Sequence, residues 1–129
     1  MFETLLQYGD LGLLVLRLAV AAIFIYHALP KLKNSQAMAQ GIGMAPGMVM
    51  GLGAVEFVAG LGLIFGIYTQ LAALLLGIVM VGAIYFKTQK WHVPFFAMDK
   101  TGWEFDFILL AATIAILLTG SGSIGLGIG

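Results

Sequence analysis

Apolar residues run along this chain in four long blocks, separated by short polar clusters. A bilayer core of about 30 Å is crossed by a helix of about 20 apolar residues, and the blocks have that length. The first covers about 11–29, with Asp10 placed to cap its start and Pro30 to stop it. The second covers about 47–66. The third covers about 70–87, with Thr69 as its cap. The fourth, about 104–119, is the shortest and leads into the glycine-rich tail "GSGSIGLGIG". No heptad seam or internal repeat interrupts the pattern. It predicts an all-α fold, an integral membrane four-helix up-down bundle forming a single domain.

The aromatic residues divide in the same way. Tyr8 and Tyr68 fall at one membrane face, and Tyr26, Tyr85, Trp91 and Trp103 at the other. The connection around Tyr68 is very short, so the second and third spans form a tight antiparallel hairpin. The connection "KLKNSQAMAQGIGMAP" has room for a turn or two of helix in the interface. "KTQKWHVPFFAMDKTG" mixes Lys with Trp, His and Phe, as an interfacial segment does. Lys31, Lys33, Lys87, Lys90 and Lys100 lie in these two loops, whereas the opposite side carries Glu3 and Asp10. The positive-inside bias then places loops 31–46 and 87–103 in the cytoplasm and both termini outside.

Composition narrows the function classes. Of 129 residues, 61% are hydrophobic and 9% charged, and the formal net charge is zero. The mean hydropathy of +1.06 belongs to membrane proteins rather than soluble domains. No basic patch offers a nucleic-acid surface. The absence of cysteine excludes disulfides, thiolate metal sites, iron–sulfur clusters and thiol–disulfide exchange. The opening "MFETLLQYGD" carries acids where a signal peptide carries Lys or Arg, which argues against a cleaved leader. Glycines cluster in the second span, at Gly47, Gly51, Gly53, Gly60, Gly62 and Gly66. In lipid such small residues let helix backbones approach closely.

The candidate chemistry starts at Glu56, a carboxylate inside "GLGAVEFVAGLGLIFG". A lone ionised carboxylate in hydrocarbon costs several kcal/mol. Arg17 is the one cation inside another span. Counted from the loop side, Glu56 lies roughly 12 Å deep and Arg17 roughly 18 Å, a gap an arginine side chain can close. Arg17 is therefore the expected partner of Glu56. The pair reads either as a structural clamp between helices or as a proton-handling or ligand-binding centre. The remaining reading is a protonated, unpaired Glu56.

A second polar group gathers at the loop end: His27 and Lys31 at the foot of the first span, His92 in the loop, and Glu104 and Asp106 opening the fourth. Thr101 and Glu104 have capping-box spacing, and acids in a first turn suit the helix dipole. Glu104 and Asp106 are about 200° apart on the helical wheel, so at most one faces inward. Glu104, aligned with Ile108, Ala111 and Ala115, is the expected one. A bis-histidine metal or haem site is not expected from His27 and His92, because one of them sits in a loop. The chain has no Glu-x-x-His for a di-iron bundle, and its methionines read as gap-fillers.

"RLAVAAIFIYHALPKL", "GMAPGMVMGLGAVEFVAGLGLIFG" and "GWEFDFILLAATIAILLTGSG" together resemble the three signature regions of the DoxX family of small membrane proteins. The resemblance keeps order and spacing over nearly the whole chain. Arg17, His27, Pro30, Lys31, Glu56, Gly60 and Glu104 match positions where that family's pattern places the same residue types. The tail departs from the pattern, since Ser121 and Ile124 stand where relatives continue Gly-Pro-Gly and a Ser-Leu-Asp-like segment. The resemblance implies a redox-linked membrane protein: relatives are associated with a thiosulfate:quinone oxidoreductase and with complexes handling thiol and oxidative stress.

Three functions follow as expectations. The first is a quinone-linked redox subunit, with Arg17 and Glu56 handling protons and His27, Lys31, His92 and Glu104 binding the ligand. The cofactor stays open, with quinone as the candidate and no metal or haem expected, and the electrons come from a partner enzyme subunit or a bound small molecule. The second is a non-catalytic anchor or assembly subunit of a larger complex. The third is a small-solute or proton pathway. The lipid bilayer is a partner in each, self-association is compatible with each, and nucleic acid is a partner in none.

Overall fold

The computed structural model of the chain describes residues 1–129 and is helical throughout its ordered elements. A 3-10 turn, Glu3–Tyr8, leads into α1, Gly9–Lys33. A short helix α2, Ser35–Ile42, follows in the first loop, where a turn or two of helix is expected. Then come α3, Pro46–Phe65, and α4, Thr69–Tyr85, which continues as a π-helical turn, Phe86–Lys90. The last helix is α5, Trp103–Thr119. The stretches Glu3–Lys33, Pro46–Phe65 and Thr69–Lys90 are each long and apolar enough to cross a membrane. At 17 residues α5 is shorter.

Two ends differ from expectation for local reasons. Asp10 does not cap α1; it lies inside the helix, which the 3-10 turn extends backwards to Glu3. Pro30 does not stop α1 either. Proline removes one amide and crowds the carbonyl four residues back, a local cost that tertiary contacts can outweigh. Here the extra turn packs Lys31 and Leu32 against Gly53 of α3, and the Asn34 amide closes it onto the Pro30 carbonyl at 2.8 Å.

Neighbouring helices run antiparallel. Along α1 and α3, Lys31 lies by Gly53, Ile25 by Gly60 and Arg17 by Leu63. Between α3 and α4, Gly62 faces Ala72; between α4 and α5, Gly77 faces Thr113 and Gln70 reaches the Leu117 carbonyl at 2.9 Å. His27 of α1 meets Phe105 of α5, while Asp10 at the other end of α1 lies by Gly122, beyond α5. The core that results joins Val20, Ala21 and Phe24 of α1 to Ala59 and Leu63 of α3, Leu76 and Met80 of α4, and Leu109 and Ile116 of α5. Polar side chains sit inside with them: Arg17, Glu56, Thr69, Asp106 and Thr113 are all buried, while Val58, Ile78, Val81, Ile108 and Leu118 face outward. Apolar outside and polar inside is the arrangement that a lipid solvent selects.

The glycines of α3 divide by face. A Cβ at Gly53 would lie 2.8 Å from Lys31 Cβ and 3.2 Å from the Ala28 carbonyl oxygen, and one at Gly60 would lie 2.7 Å from Ile25 Cγ1. Gly47 and Gly51 have open space instead. The α1–α3 approach therefore depends on Gly53 and Gly60.

The C-terminal segment lies over the α3–α4 turn. Leu126 donates its amide to Phe65 at 2.8 Å and Gly127 to Gly66 at 3.1 Å, while Tyr68 donates to Ile128 at 2.6 Å. Gly66 ends α3 with φ +70°, and Tyr68 precedes α4 at φ +47°, a backbone region that L residues rarely adopt. Thr69 opens α4 but makes no side-chain cap; its hydroxyl is buried without a partner.

Replacing Gly53 with alanine should destabilise the protein by about 1–3 kcal/mol, as overpacking at a helix contact does. Gly51→Ala, on the open face, should stay within about 0.5 kcal/mol of the parent. Chemical unfolding of both variants in mild detergent checks the contrast; equal losses would refute the division of faces.

Candidate functional site

Glu56 points from α3 toward α1 because it shares a stripe with Val49, Gly53, Ala59, Gly60 and Leu63, all buried. Its side chain is 1% exposed. The cation that meets it is Lys31, whose Nζ donates to Oε1 at 2.6 Å and to Oε2 at 2.8 Å. Both carboxylate oxygens are thus held by one ammonium. Lys31 reaches Glu56 because α1 continues through Pro30, which carries Lys31 onto the α3-facing side at the level of Gly53. The lysine side chain is 19% exposed, so its head lies between the buried carboxylate and the loop-side surface.

Arg17 does not compensate Glu56. It is fully buried at the other end of the α1–α3 contact. There Nη1 donates to the Leu63 carbonyl at 3.2 Å, and Nη2 donates to the Ile124 carbonyl of the tail. Leu63 lies in the last turn of α3, whose carbonyls have no partners within the helix and carry the negative end of its dipole. A helix terminus and a backbone strand replace the carboxylate that arginine was expected to find.

A second ion pair lies at the loop end. Lys87, carried on the π-helical turn after α4, brings Nζ to 2.7 Å from Asp106 Oδ2 of α5. The contact is ionic rather than a well-aligned hydrogen bond. Lys87 Nζ also donates to the Thr101 carbonyl at 3.4 Å. Asp106 is the inward acid of α5, and Glu104 is half-buried with no side-chain partner, the reverse of the expected assignment. The Thr101–Glu104 capping box is absent as well. The amides of Trp103 and Glu104 donate instead to the carbonyls of Pro94 at 3.2 Å and Phe95 at 3.0 Å. Any Cβ on Gly102 would collide with the Phe95 carbonyl. The loop folding back on the helix start thus sets the rotation of α5, and that rotation turns Asp106 inward.

His27 lies between the two pairs. Its ring meets Tyr26 edge-on at a centroid distance of 5.8 Å and Phe105 of α5 at 5.7 Å. Lys31, Lys87 and Asp106 are all within electrostatic reach of it. The ring nitrogens make no hydrogen bond within the chain, so they are free to donate to or accept from a ligand. His92 does not join the group: it is exposed in the loop, in a left-handed backbone conformation (φ +53°), with no side-chain partner.

Of the residues singled out in the sequence, the structure therefore gathers His27, Lys31 and Glu56. It moves Arg17 to the opposite end and leaves Glu104 and His92 at the margin. Lys87 joins them without having been expected, and Asp106 takes the inward place expected of Glu104. A signal was available for Asp106, since its period matches Leu109, Thr113 and Ile116, the buried stripe of α5. Nothing in the sequence announces the π-turn that presents Lys87; such turns recur at functional sites in helical proteins.

The sequence matches the DoxX family over residues 12–89. A protein of Bacillus subtilis (strain 168) named "Putative oxidoreductase CatD" is 32% identical over 115 residues, which cover 87% of this chain and 81% of that protein. No solved structure matches.

Removing one member of a buried ion pair leaves the other uncompensated, so Lys31→Met should lower stability by about 3–5 kcal/mol. Lys31→Met combined with Glu56→Gln should recover most of that loss. In the same double-mutant cycle, Arg17→Met and Glu56→Gln should add to within about 0.5 kcal/mol, because those residues share no partner. Strong coupling between Arg17 and Glu56 would contradict the separation described.

Proposed function

The chain belongs to the DoxX family of membrane proteins, and from that premise we propose that it is a redox-linked membrane subunit holding a quinone head group at the His27 cluster. Four spans, α1, α3, α4 and α5, form the up-down bundle of this reading. The two lysine-bearing loops face the cytoplasm and both termini face outward, following the charge bias of the loops. α5 spans about 25 Å at 1.5 Å per residue, and the interfacial residues before it complete the crossing.

The observation that carries the proposal is the convergence of two lysine–carboxylate pairs on one partnerless histidine at a single end of the helices. A quinone needs an apolar slot with donors at its carbonyls, and this donor set fits. His27 offers a ring N–H, and the ammonium groups of Lys31 and Lys87 are each partly open at the membrane face. The rings of Tyr26 and Phe105 flank His27 and offer apolar faces beside it. Once bound, a quinone supplies carbonyls that accept electrons and protons. The chain's own part is to hold the head group, exclude water and keep mobile protons nearby. Glu56 and Asp106 hold the two ammonium groups in place, which leaves the ring nitrogens of His27 as the unpaired polar atoms of the cluster.

The chain has no cysteine, so electrons reach such a site from a partner subunit or a bound small molecule. The word "oxidoreductase" in the name of the Bacillus relative supports the same direction. An anchoring role, the second reading, is favoured by the connections alone: the longest irregular loop, between the π-turn and α5, is short and folds back on α5 rather than forming a soluble domain. A proton or solute pathway rests on the two deep charges alone, and these have separate partners, Lys31 for Glu56 and backbone carbonyls for Arg17.

Titrating a short-chain quinone into the protein in lipid nanodiscs should quench the fluorescence of Trp91 and Trp103 saturably. His27→Phe, which keeps the ring and removes the nitrogens, should weaken binding by about tenfold, the worth of one hydrogen bond to a polar ligand group. Quenching that rises linearly without saturating, or that is indifferent to His27→Phe, would dismiss the quinone and leave anchoring as the better account.

A further inference from the structure

At the end of the helices opposite His27, residues 120–129 lie across the bundle as a strap held by its backbone. They leave α5 at Thr119 and form no further helix. The Leu126 and Gly127 amides donate to the carbonyls of Phe65 and Gly66, and the Tyr68 amide donates to the carbonyl of Ile128. Ile67 and Ile128 pair as neighbours in a parallel ladder do. The carbonyls of Phe65 and Gly66 stand at the end of α3, where a helix leaves its oxygens without internal partners. Side chains add little to this seat, since Ile124, Leu126 and Ile128 are 39%, 63% and 52% exposed.

Arg17 fastens the strap from beneath. It is the only arginine in the chain and is fully buried. A charge inside a membrane-crossing helix is costly, and Glu56 makes no use of this one. One of its bonds, Nη1 to the Leu63 carbonyl, joins α1 to α3; the other, from Nη2, leaves the bundle for the Ile124 carbonyl of the strap. The guanidinium sits between two glycines. A Cβ on Gly66 would lie 3.0 Å from Nη1, and one on Gly125 would lie 3.3 Å from Nη1 and 3.2 Å from the Gly66 Cα. Gly125 also holds φ +149°, which a residue with a side chain rarely adopts. The strap therefore passes over the cation at a residue that has no side chain.

A segment held by three backbone hydrogen bonds and one guanidinium, with its apolar side chains exposed, opens at lower free energy than a core such as that of Phe24, Leu63 and Leu76. Lifting it takes away one of the two acceptors of Arg17 and uncovers the charge. We propose that residues 120–129 are a hinged strap that opens as one unit from the end of α5, with Arg17 as its latch, so that this arginine alternates between a sealed and a water-accessible state. The device lies at the end of the helices away from the His27 cluster and stands independently of the redox reading.

The test follows the full chain in lipid nanodiscs by two readouts. One is labelling with p-hydroxyphenylglyoxal, a water-soluble dicarbonyl selective for arginine, so that every arginine adduct reports Arg17. The other is hydrogen exchange at single amides, read by NMR. The amides of Leu126, Gly127 and Tyr68 should share one exchange rate, at least about tenfold faster than that of Val20, Ala21 and Phe24 in the core. Gly125→Ala, which unseats the strap, should raise both that shared rate and the labelling of Arg17 several-fold and leave the core amides unchanged. Leu126→Ala, which trims an exposed side chain and keeps the amide, should label as the parent does. Arg17→Met should speed exchange at the same three amides. Strap exchange and Arg17 labelling that proceed only as fast as core exchange would overturn the proposal, because the strap would then be part of the core. Three amides exchanging at unrelated rates, or as fast as in an unstructured peptide, would overturn it too. So would labelling indifferent to Gly125→Ala, or accelerated as much by Leu126→Ala.

Discussion

A carboxylate at 1% exposure between two apolar helices stays ionised only with a cation within hydrogen-bonding distance, and the fold is organised around satisfying Glu56. Lys31 answers it with both oxygens engaged, and several other features exist because it does. α1 continues through a proline so that Lys31 is helical, and Gly53 has no side chain, so the Lys31 stem can pass one turn from the carboxylate. The α1–α3 contact has an antiparallel register that puts Ile25 on Gly60 and Arg17 on the last turn of α3. In lipid the hydrophobic effect contributes little to helix association, so close glycine contacts and buried polar pairs set that register.

The two deep cations are compensated by different means. Lys31 meets a formal charge. Arg17 meets carbonyl dipoles, one from the end of α3 and one from the C-terminal segment. The first arrangement neutralises its site. The second bonds the guanidinium to backbone oxygens and leaves its Nε without a partner. This difference separates the molecule into two ends: a loop end where paired charges surround a histidine, and a terminal end where a buried guanidinium rests on backbone carbonyls.

The matched DoxX region, residues 12–89, contains Arg17, His27, Lys31 and Glu56, and the structure supplies the relations among them. Two residues of the loop-end cluster, Lys87 and Asp106, enter through backbone events rather than through a motif. One is a π-helical turn. The other is a loop whose carbonyls cap α5 in place of a side chain. The π-turn brings Lys87 to Asp106, and the loop carbonyls at the start of α5 hold the helix with Asp106, rather than Glu104, at the interior.

Hydropathy and length alone determined the helical class, the positions of the long helices to within about four residues, and the hairpin at Tyr68, because a continuous apolar run in a low-charge chain has few other solutions. Sequence patterning also identified Glu56 as a buried charge needing a partner. The identity of that partner was decided by tertiary structure. Reading Pro30 as a stop made Lys31 a loop residue and left Arg17 as the only cation at hand, whereas contacts with α3 outweigh the proline and keep α1 helical for one more turn. Depth along a helix can be counted from a sequence. Which side chains share that depth across two helices depends on register and rotation, and these are set by glycine contacts, a π-turn and backbone caps that involve residues far apart in the chain.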